Sequence, residues 1–223
     1  MKGSHVRKLV TILTLALSVL SAPTARAQGT TTYLSNLGQA STGSLAVGTN
    51  SWVAIAFYTG TNARHYVINS IQLAMADATG SPSNIKVMLA LPAAGADFLV
   101  PGPMFLDTLS GSLDPTSSGI YTYTPTTTIS LLGGYPYCIV LTADTLVANG
   151  AYEWSYANTD TYQASGGWSF GGMWTSSTSV GYQRAPSGTF PLFAVSATAV
   201  PEPSSVVLLA LGGLCFLCRR RKA

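Results

Sequence analysis

The stretch Ile85-Lys86-Val87-Met88-Leu89-Ala90-Leu91 decides how the chain folds. Ile85, Val87, Leu89 and Leu91 recur at every second position. On an extended backbone all four side chains leave on one side. The stretch reads as a strand with one buried face.

Working outward, the same grammar repeats. Gly80-Ser81-Pro82-Ser83-Asn84 is a turn before that strand. Upstream, Tyr66 to Ala76 reads as a long strand whose apolar phase shifts near Asn69-Ser70, which predicts a bulge. Trp52 to Tyr58 is apolar on both faces, and Thr59-Gly60-Thr61-Asn62 turns the chain after it. Residues 28–51 read as an opening strand and a loop. Downstream, Pro92 to Leu113 is rich in Pro and Gly and is expected to cross irregularly between two sheets. Ile120–Thr124 and Thr127–Leu132 are strands separated by Pro125. Gly133-Gly134 reads as a hairpin turn into Tyr137–Thr142, and Asn149-Gly150 as a turn into Tyr152–Tyr156. Phe190–Ala197 closes the series. About nine short strands, turns between them and no amphipathic helix predict an all-β fold. The expected form is an antiparallel β-sandwich, with a jelly roll as one arrangement.

Both ends of the chain read as addresses. Lys2, Arg7 and Lys8 precede an apolar run from Leu9 to Leu20, and Ala25-Arg26-Ala27 fits the small-x-small cleavage rule. Residues 1–27 are read as a signal peptide for signal peptidase, with cleavage after Ala27. At the other end, residues 200–223 hold Pro201-Glu202-Pro203, an apolar run from Val206 to Cys218, and Arg219-Arg220-Arg221-Lys222. The basic cluster resists translocation and stays cytoplasmic. The 13-residue run is well short of the roughly 20 residues that span a bilayer. It is expected to hold the chain in a membrane as a short helix only until processing. Between the addresses lies one domain, residues 28–199, long enough to bury about 70% of its unfolded surface.

The tail closely resembles the PEP-CTERM sorting signal of Gram-negative bacteria, also known as the ice-binding protein C-terminal domain. The resemblance rests on Pro201, Glu202 and Pro203, the apolar helix, and Arg219, Arg220 and Arg221, in that order. It implies export, processing by an exosortase-type enzyme, a place in the cell envelope or on the outer surface, and a link to exopolysaccharide. It gives no evidence of ice binding. A second, looser likeness runs through Ser35-Asn36-Leu37-Gly38, Ala54-Ile55-Ala56-Phe57, Tyr66 to Leu73, Leu109-Ser110-Gly111, Tyr121 to Pro125 and Tyr137 to Leu141. These landmarks resemble the choice-of-anchor R domain of bacterial surface proteins, and no catalytic residues come with that resemblance.

Charge excludes one class of partner. The whole chain is formally +3, but the excess sits in the two ends. Residues 28–199 carry three basic residues (Arg64, Lys86, Arg184) against seven acidic ones (Asp77, Asp97, Asp107, Asp114, Asp144, Glu153, Asp160), a formal −4. Neutralising phosphates needs a basic face, so nucleic acid is not an expected partner.

Candidate chemistry is thin, and no catalytic residue or enzymatic activity is expected. His65, the one histidine of residues 28–199, reads as a solvated strand-end residue. Cys138 sits in Tyr-Pro-Tyr-Cys-Ile-Val-Leu and reads as a core cysteine. Cys215 and Cys218 lie in the apolar tail, where a zinc or redox site lacks a folded surround. Glu153 and Asp160 are the nearest acidic pair for glycoside hydrolysis, which needs two carboxyl groups on either side of one bond. Scattered solvated acids are the plainer reading. No cofactor is expected. Structural calcium is the one metal considered, since Asp77, Asp97, Asp107 and Asp114 all fall in loops. The aromatics are more suggestive. Tyr152, Trp154 and Tyr156 share a strand face, with Trp154 read as core. Trp168 and Trp174 have Gly-rich flanks, which suggests a loop, and they are the candidates for stacking on sugar rings. The competing reading places them in the core. The expectation is thus an exported, non-catalytic surface or matrix protein, with a carbohydrate-binding module using exposed aromatics as the alternative.

Overall fold

The computed structural model describes residues 29–93, 99–177 and 180–200. Gln28–Val200 forms one compact unit. Among the described residues there is no helix. Fifteen described strands form an antiparallel sandwich of a nine-stranded and a six-stranded sheet.

The six-stranded sheet is built from β3 (Ser51–Tyr58), β5 (Lys86–Pro92), β6 (Pro101–Thr108), β9 (Pro136–Thr142), β12 (Ser169–Ser177) and β13 (Val180–Arg184). Its order is β13-β12-β3-β9-β5-β6. The alternation holds here, but the single buried face expected for Ile85–Leu91 is corrected: Met88 and Ala90 are buried on the other side of β5 too, under the cover of the outer cluster. Val53, Ile55 and Phe57 of β3, Val87 and Leu89 of β5, and Ile139 and Leu141 of β9 point into the core between the sheets.

The nine-stranded sheet is organised by β4 (His65–Gly80). One edge of β4 pairs first with β15 (Phe193–Val200) and then with β10 (Gly150–Ala157). The other edge pairs with β8 (Ser130–Leu132) and then β7 (Gly119–Tyr123). Ile71 and Leu73 have partners on both β15 and β7, which places those strands on opposite edges. β1 (Thr31–Ser35) extends the sheet beyond β15, and β2 (Gly43–Val47) pairs with β10. Two short strands, β11 (Gln163–Ala164) and β14 (Phe190–Pro191), complete it. The predicted bulge is present. Ser196 faces Ser70 while Ala197 faces Ile68, so Asn69 is the extra residue.

Three expectations are corrected. Residues 28–51 hold two strands, β1 and β2. Pro92 to Leu113 does not cross between sheets irregularly. It contains β6, which folds back on β5 in the same sheet. Pro101 and Pro103 lack the N–H a central strand must donate, so β6 lies at the edge. The crossing to the nine-stranded sheet comes after Leu109, on the way to β7. Gly133-Gly134 is not a hairpin turn, because β8 and β9 belong to different sheets.

Trp168 ties the two layers together. Trp168 is stacked between Tyr33 of β1 (ring centroids 5.0 Å) and Phe57 of β3 (5.5 Å), with Tyr66 of β4 edge-on at 5.1 Å. One indole thus joins both sheets. Nearby, Gly60 approaches so closely that a Cβ there would fall 1.6 Å from the Gly166 carbonyl oxygen, which excludes every side chain. Asn36 ties the β14–β15 junction. Its Nδ2 donates to Pro191 O (2.9 Å) and its Oδ1 accepts from the Phe193 N–H (2.8 Å).

Candidate functional site

The outer face of the six-stranded sheet, turned away from the core, is itself apolar. Ala54 and Ala56 of β3, Met88 and Ala90 of β5, Cys138 and Val140 of β9, and Trp174 of β12 form a second cluster. Leu99 and Val100 pack against it from the loop before β6, and Trp52 and Tyr182 pack at its margin. Register explains the grouping. Trp174 is paired with both Ala54 and Arg184, and Trp52 with Ser176, so these residues share one face. Tyr182, two residues from Arg184 on β13, lies on that face too.

At the margin a pocket of about 250 Å³ opens, lined by Thr49, Trp52, Ser176, Ser177 and Tyr182. Both rings are half-buried. The Trp52 indole N–H donates to Thr49 O at 3.1 Å, which fixes the ring. Burial pushes the Tyr182 phenol up to about 12, with the neighbouring Cys138 adding to the shift. The phenol therefore stays protonated at neutral pH. Two rings and three hydroxyl-bearing residues offer apolar contact and hydrogen bonding, and no described lining residue is charged.

A second, wider cleft of about 510 Å³ lies beside the first half of β12. Asp160, Phe170, Arg184 and Phe190 line it, with Gly171, Gly172 and Gly188 leaving backbone open.

The sequence candidates fall elsewhere. Trp168 and Trp174 are only 2% and 3% exposed. Trp168 fills the core and Trp174 the outer cluster. Neither ring is exposed enough to stack on a sugar: Trp168 is covered by Tyr33 and Phe57, and Trp174 is buried in the outer cluster. Trp154 is core as expected, its indole N–H donating to Leu192 O at 3.0 Å. Cys138 is buried, its Sγ 3.6 Å from Leu99 O, and burial pushes its thiol up to about 12. A thiolate nucleophile is thereby suppressed. His65 starts β4, paired with Val200 and Leu132.

The carboxylates serve loops and strands. Glu153 accepts from Ser44 Oγ at 2.7 Å and does not line the cleft that holds Asp160. Asp77 accepts from the Ser118 N–H at 2.7 Å, and Asp114 from the Asn84 N–H at 3.1 Å and from Tyr152 Oη at 2.5 Å. Asp107 accepts from the Thr126 N–H (2.7 Å) and hydroxyl (2.6 Å). Among the described residues no three His, Cys, Asp or Glu side chains gather in a metal-binding group. Asp97 lies outside the described residues.

The clearest functional assignment comes from the end of the chain. Residues 199–222 match the family model of the PEP-CTERM protein-sorting motif. The chain carries a PEP-CTERM sorting signal. Such a signal marks an exported protein that an exosortase-type enzyme sorts to the cell envelope. No curated protein and no solved structure matches the chain. The PEP-CTERM residues Pro201, Glu202, Pro203, Arg219, Arg220 and Arg221 lie outside the described residues, as do the cleavage residues Ala25 and Ala27 and the tail cysteines. No described helix is long and apolar enough to cross a membrane, and the apolar run at Val206–Cys218 lies outside that comparison.

Sequence reasoning missed Trp52 and Tyr182. Trp52 reads as part of an apolar strand, and Tyr182 falls between Trp174 and Phe190, a stretch given no role. Only the register of β3, β12 and β13 brings the two rings to one pocket.

Proposed function

We propose that this protein is a non-catalytic component of the outer envelope or extracellular matrix of a Gram-negative bacterium, associated with exopolysaccharide. The N-terminal signal starts export, signal peptidase cuts after Ala27, and the short apolar helix near the C-terminus holds the chain in the membrane until the exosortase-type enzyme removes it. The PEP-CTERM motif carries this reading. Support for a non-catalytic domain comes from how the reactive groups are used. The Cys138 thiol is buried and held protonated. Glu153, Asp77, Asp107 and Asp114 are engaged by strand and loop donors. The likeness to choice-of-anchor R domains points the same way.

The test is fractionation of the producing cells, followed by sedimentation of the released protein with the polysaccharide those cells shed. The expected result is protein in the envelope and matrix fractions that co-sediments with polysaccharide. Recovery only as free soluble protein, or turnover of that polysaccharide by the purified chain, overturns the proposal.

A further inference from the structure

We infer that the pocket between Trp52 and Tyr182 binds a single neutral sugar unit, an inference that rests on the exopolysaccharide association proposed above. Three observations combine. The two rings line the pocket half-buried and pack against the outer cluster, which limits the orientations each can take. Trp52 is further fixed by its N–H bond to Thr49 O. Preordered rings lose little freedom on binding, which favours a weakly polar, flat partner. The C–H face of a pyranose is such a partner.

The rest of the lining consists of hydroxyl-bearing residues, Thr49, Ser176 and Ser177. The Thr49 hydroxyl both donates and accepts, matching sugar hydroxyls, which do the same. Size limits the ligand. About 250 Å³ lies below the roughly 300–1,000 Å³ usual for drug-sized ligands, so one sugar unit enters and the remaining polymer stays outside. Charge selects among sugars. No described lining residue is ionised, and residues 28–199 carry a formal −4, which disfavours a uronate.

The experiment is a ligand-observed NMR titration of the full chain with methyl glucoside and methyl galactoside, with methyl glucuronide for comparison. The expected result is saturable binding of a neutral glycoside at roughly millimolar affinity and at least about tenfold weaker binding of the glucuronide. Tyr182→Ala is expected to weaken binding about tenfold or more. Thr49→Val removes a lining hydroxyl while keeping the backbone carbonyl that holds Trp52, and is expected to weaken binding severalfold with an unchanged melting curve. Phe190→Ala, in the other cleft, is expected to change nothing. No saturable binding of either neutral glycoside overturns the inference, as does equal binding by Thr49→Val and the natural chain. Sedimentation separates the two levels. If the natural chain and Tyr182→Ala both co-sediment with shed polysaccharide, the pocket inference fails and the matrix reading stands. If the natural chain does not co-sediment, the matrix reading fails, and the inference built on it falls with it.

Discussion

The two faces of the six-stranded sheet are both apolar but differently built. The inner face carries Val53, Ile55, Phe57, Val87, Leu89, Ile139 and Leu141, large side chains that meet the opposing sheet. The outer face carries mostly small side chains, Ala54, Ala56, Ala90 and Cys138, beside Met88 and Val140, with rings at Trp52, Trp174 and Tyr182. Large residues fill the space between sheets at interior density. Small residues let Leu99 and Val100 lie close to the sheet. One face is organised for stability and the other for shape.

Four substitutions or titrations bear on that contrast. The largest effect belongs to the inner face. Trp168→Ala removes an indole stacked between the sheets and is expected to cost about 3–5 kcal/mol, roughly 10 °C or more in Tm, by thermal melting. A shift no larger than that of Tyr182→Ala would erase the distinction between core and margin. Next comes overpacking of the outer face. A Cβ added at Gly171 would already lie 2.5 Å from Leu99 Cδ1 and 3.3 Å from Ala56 Cβ. Ala56→Leu therefore has no room unless the loop lifts, with an expected cost of about 1–3 kcal/mol. A neutral result would mean that the loop does not lie against the face.

Electrostatics ranks below packing. Burial raises the Asp107 carboxyl, but the Thr126 hydroxyl and the N–H groups of Thr126 and Thr127 outweigh it, and the net shift is downward. A carboxyl lowered on folding stabilises above its unfolded value, and that contribution is lost as pH falls through the folded one. The Tm difference between the natural chain and Asp107→Ala is thus expected to be present at neutral pH and to shrink below about pH 4. A difference that grows on acidification contradicts the assignment. The smallest effect is none at all. Cys138, closed under Leu99, is expected to resist thiol reagents at pH 8 until the protein is denatured, read by intact mass. Rapid native labelling would open the outer face to solvent.

How much was legible beforehand follows from which interactions are local. Alternation at Ile85–Leu91 and the phase slip at Asn69 are short-range signals, and both appear in the sandwich. Glycine misled where its job was long-range. Gly171 and Gly172 were read as loop flanks around Trp174, yet they lie within β12. There a Cβ at Gly172 would come 2.8 Å from the Trp174 ring, and one at Gly171 would meet Leu99. These glycines make room for rings and a loop; they do not break the strand. The Trp52–Tyr182 pocket was illegible for a related reason. Its two rings are 130 positions apart and meet only through the pairing of three strands.

The address was legible because it is linear. Pro201-Glu202-Pro203, an apolar run and an arginine cluster need no tertiary contact to be read. The proposed processing, a folded strand domain delivered by a removable tail, rests on this address. Its most direct test is the intact mass of the protein recovered from the surface of its own cells. The account predicts a chain lacking residues 1–27 and the Arg219–Lys222 cluster. A surface-exposed chain that still carries Arg219, Arg220 and Arg221 would contradict it.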